Sequence, residues 1–249
     1  MRKGIYVLPS LLTLMSMFLG FYSIVRSFNS DYELASWSIL AAAIFDVLDG
    51  WVARLTHTAT RFGIEIDSLS DVISFGVAPG FLIYTWTLQS FGKIGWLGSF
   101  FLVACAALRL ARFNVQMGST EKKHFTGLPT PAAALAIATT VVAYEEIIQI
   151  LEQIGLIGMA NVIRLDYWVL VLTFLLAGLM VSNITYHSLK EANLSQRRPF
   201  GILVAIAAFL AIVAYHPSLV LFLVAISYVA SGLIEALYHL LKKPREVSA

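Results

Sequence analysis

Apolar residues recur along this chain in blocks of about 20, separated by short polar connections and with no stretch of strict alternation. Eight blocks stand out, near Ile5–Val25, Tyr32–Leu55, Asp67–Gln89, Trp96–Phe113, Pro129–Tyr144, Trp168–His187, Phe200–Tyr215 and Leu219–Leu240. A helix of about 20 residues spans the hydrocarbon core of a bilayer. Period-two alternation with frequent turns would mark a membrane β-barrel and is missing. The pattern predicts an all-α integral membrane protein, a bundle of about eight transmembrane helices. The first block follows Met1-Arg2-Lys3, as a signal peptide would. It is too long for a signal h-region and lacks a small-residue cleavage site, so it is expected to stay as a helix.

Composition sharpens this picture. Of 249 residues, 59% are hydrophobic and 13% charged, and the mean hydropathy is +0.80; an ordinary soluble domain is excluded. With eight spans both termini lie on one side. That side collects Arg2, Lys3, Arg54, Arg61, Arg109, Arg112, Lys122, Lys123, Lys190, Arg197, Arg198, Lys242, Lys243 and Arg245, against Arg26, Lys93 and Arg164 on the other. Cationic loops stay in the cytoplasm, so both termini are expected there, in the cell membrane. The net charge of +2 thus describes topology and gives no reason to expect a nucleic-acid partner. Cys105, the single cysteine, falls in the fourth block and is expected to pack without a disulfide partner. Glu145, Glu146 and Glu152, interleaved with isoleucines, read as a short surface helix on the outer side. Without long linkers or repeats, residues 1–249 read as one membrane domain, with a core over roughly 1–190 and extra C-terminal helices over 199–240.

The chemistry lies where the hydropathy is broken. Asp46, Asp49, Asp67 and Asp71 are four of the six aspartates. A carboxylate at the centre of a membrane helix costs roughly 2.5–3.5 kcal/mol on insertion scales, so four together call for compensating cations. Divalent metals prefer such oxygen ligands. Asp46 and Asp49 are three apart on the second helix, and Asp67 and Asp71 four apart on the third, so each pair shares a face. The short connection makes the two helices antiparallel neighbours, and the pairs converge near the cytoplasmic surface. Gly50 and Gly63 remove side chains where a bulky anion approaches the backbone. Arg54 offers a fork for a phosphate. Acids, arginine and glycines together point to a phosphate or pyrophosphate bridged by metals.

The spacing D-x2-D-G-x2-A-R-x8-G-x3-D-x3-D, met by Asp46, Asp49, Gly50, Ala53, Arg54, Gly63, Asp67 and Asp71, resembles the signature of the CDP-alcohol phosphatidyltransferase family. By chance, eight set residues at these intervals would arise on the order of once in ten billion positions. Residues 68–79 (Ser-Leu-Ser-Asp-Val-Ile-Ser-Phe-Gly-Val-Ala-Pro), 109–114 (Arg-Leu-Ala-Arg-Phe-Asn) and 125–131 (Phe-Thr-Gly-Leu-Pro-Thr-Pro) are similar to the bacterial phosphatidylserine synthase branch. The resemblance implies two divalent ions, Mg2+ or Mn2+. Asp46, Asp49 and Asp67 would hold one, and Asp46, Asp67 and Asp71 the other, with Asp71 as general base. Gly50, Arg54 and Thr60 match contacts to the CDP-lipid, and Gly63 belongs to the same group. The family's Pro-Asn/Asp-x-x-Thr turn reads here Pro9-Ser10-Leu11-Leu12-Thr13, which adds Ser10 and Thr13, with serine in place of the usual Asn or Asp. A homodimer is implied as well.

The expected reaction is transfer of the phosphatidyl group from CDP-diacylglycerol to L-serine, with CMP released. A free amino acid needs a cationic partner for its carboxylate, and Arg109, Arg112 and Asn114, at the end of the fourth block, are the candidates. Pro79-Gly80 is expected to kink the third helix and widen the opening. A sibling enzyme using glycerol 3-phosphate or another alcohol would share every metal ligand. A cation or metabolite transporter fits less well, since all four acids lie near one surface and no inverted repeat is visible.

Overall fold

The computed structural model of the chain describes residues 7–56, 60–117, 127–153, 165–184, 186 and 216–242. These residues hold helices and turns and no strand. Helix α1 covers Val7–Phe28, α2 Tyr32–Leu55 and α3 Arg61–Asp71, which passes through a π-helical turn at Val72–Val77 into α4, Ala78–Trp86. A 3-10 turn at Leu88–Phe91 leads to α5, Lys93–Met117. Then follow α6 (Thr130–Gln153), α7 (Leu165–Val181) and α8 (Pro217–Lys242). Among the described residues, Leu8–Phe28, Arg61–Trp86, Lys93–Gln116 and Pro217–Ala236 are long and apolar enough to cross a membrane, and Thr130–Tyr144 and Asp166–Val181 are shorter apolar helices. The α2 helix has 24 residues, about 36 Å of length, and carries the first two acids.

Seven of the eight expected blocks therefore fall on helices, and the seventh, 200–215, lies outside the described residues. Two boundaries differ from expectation. The third helix begins at Arg61, capped by Thr60, so Asp67 and Asp71 occupy its second and third turns. Glu145, Glu146 and Glu152 form no separate surface helix, because α6 runs unbroken to Gln153. Nothing between Tyr144 and Gln153 breaks a helix, and Glu, Gln and Leu are strong helix formers.

Helices α1, α2, α3–α4, α5, α6 and α7 alternate in direction, and α8 runs the same way as α7. At one end Trp86 meets Tyr144 edge to face at 5.1 Å, Thr87 bonds Asp166 at 3.2 Å and His216 bonds Glu146. At the other, Arg109 bonds Thr130, while the backbone N–H groups of Gly127 and Leu128 donate to Ile184 and Leu179. Gly127 sits at φ +89, where an added Cβ would meet Met180 O at 2.3 Å; only glycine fits that close left-handed turn. The α7 helix thus ends at the acid-bearing end of the bundle and α8 begins at the opposite one. Ile39, Phe75, Leu82, Leu102, Ile137, Leu176 and Met180 fill the interior. Phe18, Phe21, Phe100, Val171 and Ile234 face outward, an apolar exterior that suits lipid and would be a liability in water.

Two local features set the geometry around the acids. Along α1, Thr13, Ser16, Gly20, Ser23 and Ser27 recur at intervals of three and four and are buried. Ser16 donates to Ala42 O at 3.0 Å, Ser70 to Thr13 O at 3.1 Å and Ser74 to Ser16 O at 2.9 Å. Small residues allow close approach in an apolar setting, and their hydroxyls bond across the gap. This seam fastens α1 to α2 and α3. The second feature is the π turn: the Ala78 N–H donates to Ile73 O, five residues back. A proline in a regular helix crowds the carbonyl four residues before it and supplies no N–H, and the wider turn absorbs the mismatch of Pro79 upstream. The irregularity therefore starts at Val72, directly after Asp71, instead of at Pro79-Gly80 as expected. Pro79 and Gly80 are themselves buried, with Ser99 donating to Gly80 O at 2.6 Å, so that point is a helix contact and not the wall of an opening.

Candidate active site

The two carboxylate pairs arise from simple register. Asp46 and Asp49 lie on one face in the last turns of α2, and α3 returns beside it after a connection of five residues, 56–60. Its second turn presents Asp67 to them. One carboxylate oxygen from each of Asp46, Asp49 and Asp67 lies within 4.8 Å of the others. Asp71, one turn further, comes within hydrogen-bonding reach of Asp46, while its Oδ1 is buried with no partner. Asp49 is 5% exposed, and its Oδ2 accepts a 2.7 Å bond from Thr13 Oγ1.

Like charges at this spacing repel by about 3.5 kcal/mol per pair at an effective dielectric of 20. Three pairs approach the whole stability of a typical domain, about 5–15 kcal/mol. The Arg109 guanidinium interacts with Asp71, but one cation does not balance four carboxylates. A donor set made only of oxygens, with an orphaned buried Oδ1 beside it, fits a hard divalent ion. Asp46, Asp49 and Asp67 are placed to hold one.

The other expected site residues divide into those at the cluster and those tied elsewhere. Thr13 is at the cluster, but as the hydroxyl that orients Asp49. Ser10 is half-buried one turn earlier on α1. Gly50 is open: a Cβ there would meet nothing closer than the Arg54 guanidinium at 3.8 Å, so Arg54, exposed in the last turn of α2, lies over that glycine. Thr60 is the N-cap of α3 and accepts the Gly63 N–H at 3.0 Å. A Cβ on Gly63 would press to 3.2 Å from that hydroxyl, so these two residues are bound to each other as a cap. Near the end of α5, Asn114 donates to Ser68 Oγ at 2.8 Å, immediately beside Asp67. Arg109 donates through Nη1 to the buried Thr130 at 3.0 Å, and its Nε is buried without a partner. Arg112 reaches Asn183 at 3.0 Å, at the end of α7. Sequence reasoning assigned no role to Ser16, Ser70, Ser74 or Thr130. The period of the α1 seam was the available signal, since small polar residues at three and four mark a buried face.

Removing the Thr13 hydroxyl tests this arrangement. Groups that orient a metal ligand change metal affinity by about 10–100-fold when lost. Thr13→Val is expected to raise the Mg2+ or Mn2+ concentration for half-maximal activity by about tenfold, with turnover at saturating metal largely recovered. An unchanged metal titration would detach Thr13 from the ion site.

A family model described as CDP-alcohol phosphatidyltransferase matches residues 6–163, a stretch that contains all four acids and their supporting α1 seam. The chain belongs to the CDP-alcohol phosphatidyltransferase family. Among its relatives within that family is a CDP-diacylglycerol–serine O-phosphatidyltransferase of Helicobacter pylori (strain ATCC 700392 / 26695), 36% identical over 238 residues, covering 96% of this chain and 94% of the relative. A protein of the same name from Mycobacterium bovis is 30% identical over 239 residues, covering 91% and 78%. An archaetidylserine synthase of Methanothermobacter thermautotrophicus is 46% identical over 134 residues, about half of each chain. In this CDP-alcohol phosphatidyltransferase, the clustered acids of α2 and α3 lie wholly within the matched stretch.

Proposed function

We propose that this protein transfers the phosphatidyl group of CDP-diacylglycerol to L-serine, giving phosphatidylserine and CMP. The observation that carries the reading is the convergence of Asp46, Asp49 and Asp67 within 4.8 Å beside half-buried Asp71, in a chain similar over nearly its whole length to proteins named for serine transfer. In this reading Asp46, Asp49 and Asp67 hold one divalent ion, and Asp46, Asp67 and Asp71 a second. Bound there, Mg2+ or Mn2+ would supply charge neutralisation for the diphosphate and for the departing CMP.

The chain's own groups do the rest. Asp71 takes the proton from the serine hydroxyl, whose oxygen forms a bond to the lipid-linked phosphorus. The bond from that phosphorus to the bridging oxygen breaks, and CMP leaves with the electron pair. Arg54, beside open Gly50, grips the diphosphate, with Ser10, Thr13, Thr60 and Gly63 along the CDP-lipid side. Arg109, Arg112 and Asn114 receive the amino acid. The setting is an eight-span protein of the cell membrane working as a homodimer, both termini and the site facing the cytoplasm. That orientation is supported by the cationic connections and by α7 ending and α8 beginning at opposite ends of the bundle.

An acceptor assay tests the reading directly. Purified protein with CDP-diacylglycerol and Mn2+ or Mg2+ is expected to release CMP with L-serine, to stop with EDTA and to resume on metal addition. Release with glycerol 3-phosphate and not with serine would select the sibling reaction. Substrate uptake into vesicles without CMP release would select a transporter.

A further inference from the structure

At the end of the bundle away from the acids, the helices enclose a cavity of about 130 Å³, lined by Trp86, Thr87, Tyr144, Asp166 and Val169. Trp86 ends α4, Tyr144 lies on α6, and Asp166 and Val169 belong to the start of α7. Trp86 follows Asp71 by 15 residues, about 22 Å of helix, so this space is distinct from the carboxylate cluster. A water occupies about 30 Å³ of liquid, so the cavity has room for roughly four waters or one small organic group.

Two features of the lining have ordinary explanations. Trp and Tyr gather where a membrane meets water, and an acid in the first turn of a helix is favoured by the helix dipole. Neither accounts for a half-buried carboxylate that shares one cavity with both rings. Thr87 Oγ1 donates to Asp166 Oδ1 at 3.2 Å, which uses one of about four lone-pair sites on a carboxylate. Among the described residues Asp166 has no ion pair, whereas Glu146, two positions after Tyr144 on α6, is matched by His216.

The ligand class follows from these groups. A divalent metal asks for about six oxygen ligands, and the cavity offers one carboxylate and two hydroxyls. An anion would meet Asp166 with like charge. A primary ammonium suits each part of the wall. Its N–H groups have the carboxylate and the Thr87 oxygen as acceptors, and its charge is drawn to aromatic faces. The Trp86 and Tyr144 rings stand at 86° with centroids 5.1 Å apart, a corner and not a closed stack. We propose that this cavity binds a primary alkylammonium, with Asp166 as its counter-ion and Trp86 and Tyr144 as its aromatic walls. A free amine and the headgroup of an aminophospholipid share this chemistry.

Two arms of one experiment separate those sources, and neither depends on the transfer reaction. Full-length protein in detergent is titrated at neutral pH with ethanolamine hydrochloride against sodium chloride of equal ionic strength. In parallel, it is placed in phosphatidylcholine nanodiscs with increasing phosphatidylethanolamine. A ligand of the folded state raises the melting temperature by mass action. A saturable rise with ethanolamine, absent with sodium chloride, is expected if a free amine suffices; a rise confined to phosphatidylethanolamine identifies the headgroup. Asp166→Asn keeps an oxygen for Thr87 and should move the midpoint at least about tenfold upward, the loss expected for a hydrogen bond to a charged group. Trp86→Leu keeps an apolar wall without a π face and should move it about fivefold. No saturable rise for wild type in either arm would overturn the site. An unchanged midpoint in either variant that melts cooperatively would do the same.

Discussion

Asp71→Asn is expected to cut CMP release by about a thousandfold, within the range of about 10²–10⁴ attributed to a positioned general base, while the protein keeps its fold and still binds CDP-diacylglycerol. The amide copies the size of the carboxyl and cannot take a proton from serine. It also removes one negative charge from a crowded group. In metal-free protein, where Asp46 and Asp71 come within hydrogen-bonding reach, the substitution should therefore leave the melting temperature unchanged or raise it. A purely structural acid would do the reverse. Turnover near that of wild type would remove Asp71 from the base role, and lost lipid binding would recast it as a positioning group.

Gly20→Val should have the largest effect on stability. An added Cβ would fall 2.5 Å from Ser74 Oγ and 2.6 Å from Ser74 Cα, and backbone cannot rotate away as a side-chain tip can. The helices must separate, with overpacking costing roughly 1–3 kcal/mol and the seam bonds lost in addition. Because the same seam brings Thr13 to Asp49, activity should fall together with stability. Gly178→Ala is the comparison, since a Cβ there meets nothing within 4 Å and alanine favours helix by about 1 kcal/mol. Thermal unfolding in detergent and CMP release, measured in parallel, check both. Equal melting temperatures for Gly20→Val and wild type would show that the packing of α1 on the π turn does not depend on this contact.

Much of this was legible in the sequence. Hydropathy blocks located seven helices, because an apolar run of about 20 residues favours a helix. The i+3 and i+4 spacing of the acids placed them on facing helices, because register is a local property. The remainder depends on contacts between helices. Averaged hydropathy cannot show that Thr13, Ser16 and Gly20 form a face, since the leucines around them dominate the mean. Pro79 announced a break but not its location, as the helix redistributed the strain to Val72–Val77. The glutamates after Tyr144 suggested a new element by polarity alone, whereas backbone propensity continued α6 through them. The bond between Arg109 and Thr130 spans 21 positions and has no periodic signature.

The short link between α2 and α3 has a consequence for engineering. Every carboxylate proposed to hold an ion sits on one hairpin of 26 consecutive positions, 46 to 71, while Arg109, Arg112 and Asn114, proposed to receive the amino acid, come from α5. In the proposed assignment, donor activation and nucleophile choice occupy separable lengths of polypeptide. A chimaera that keeps the hairpin and exchanges the later helices would be the natural route to a new headgroup.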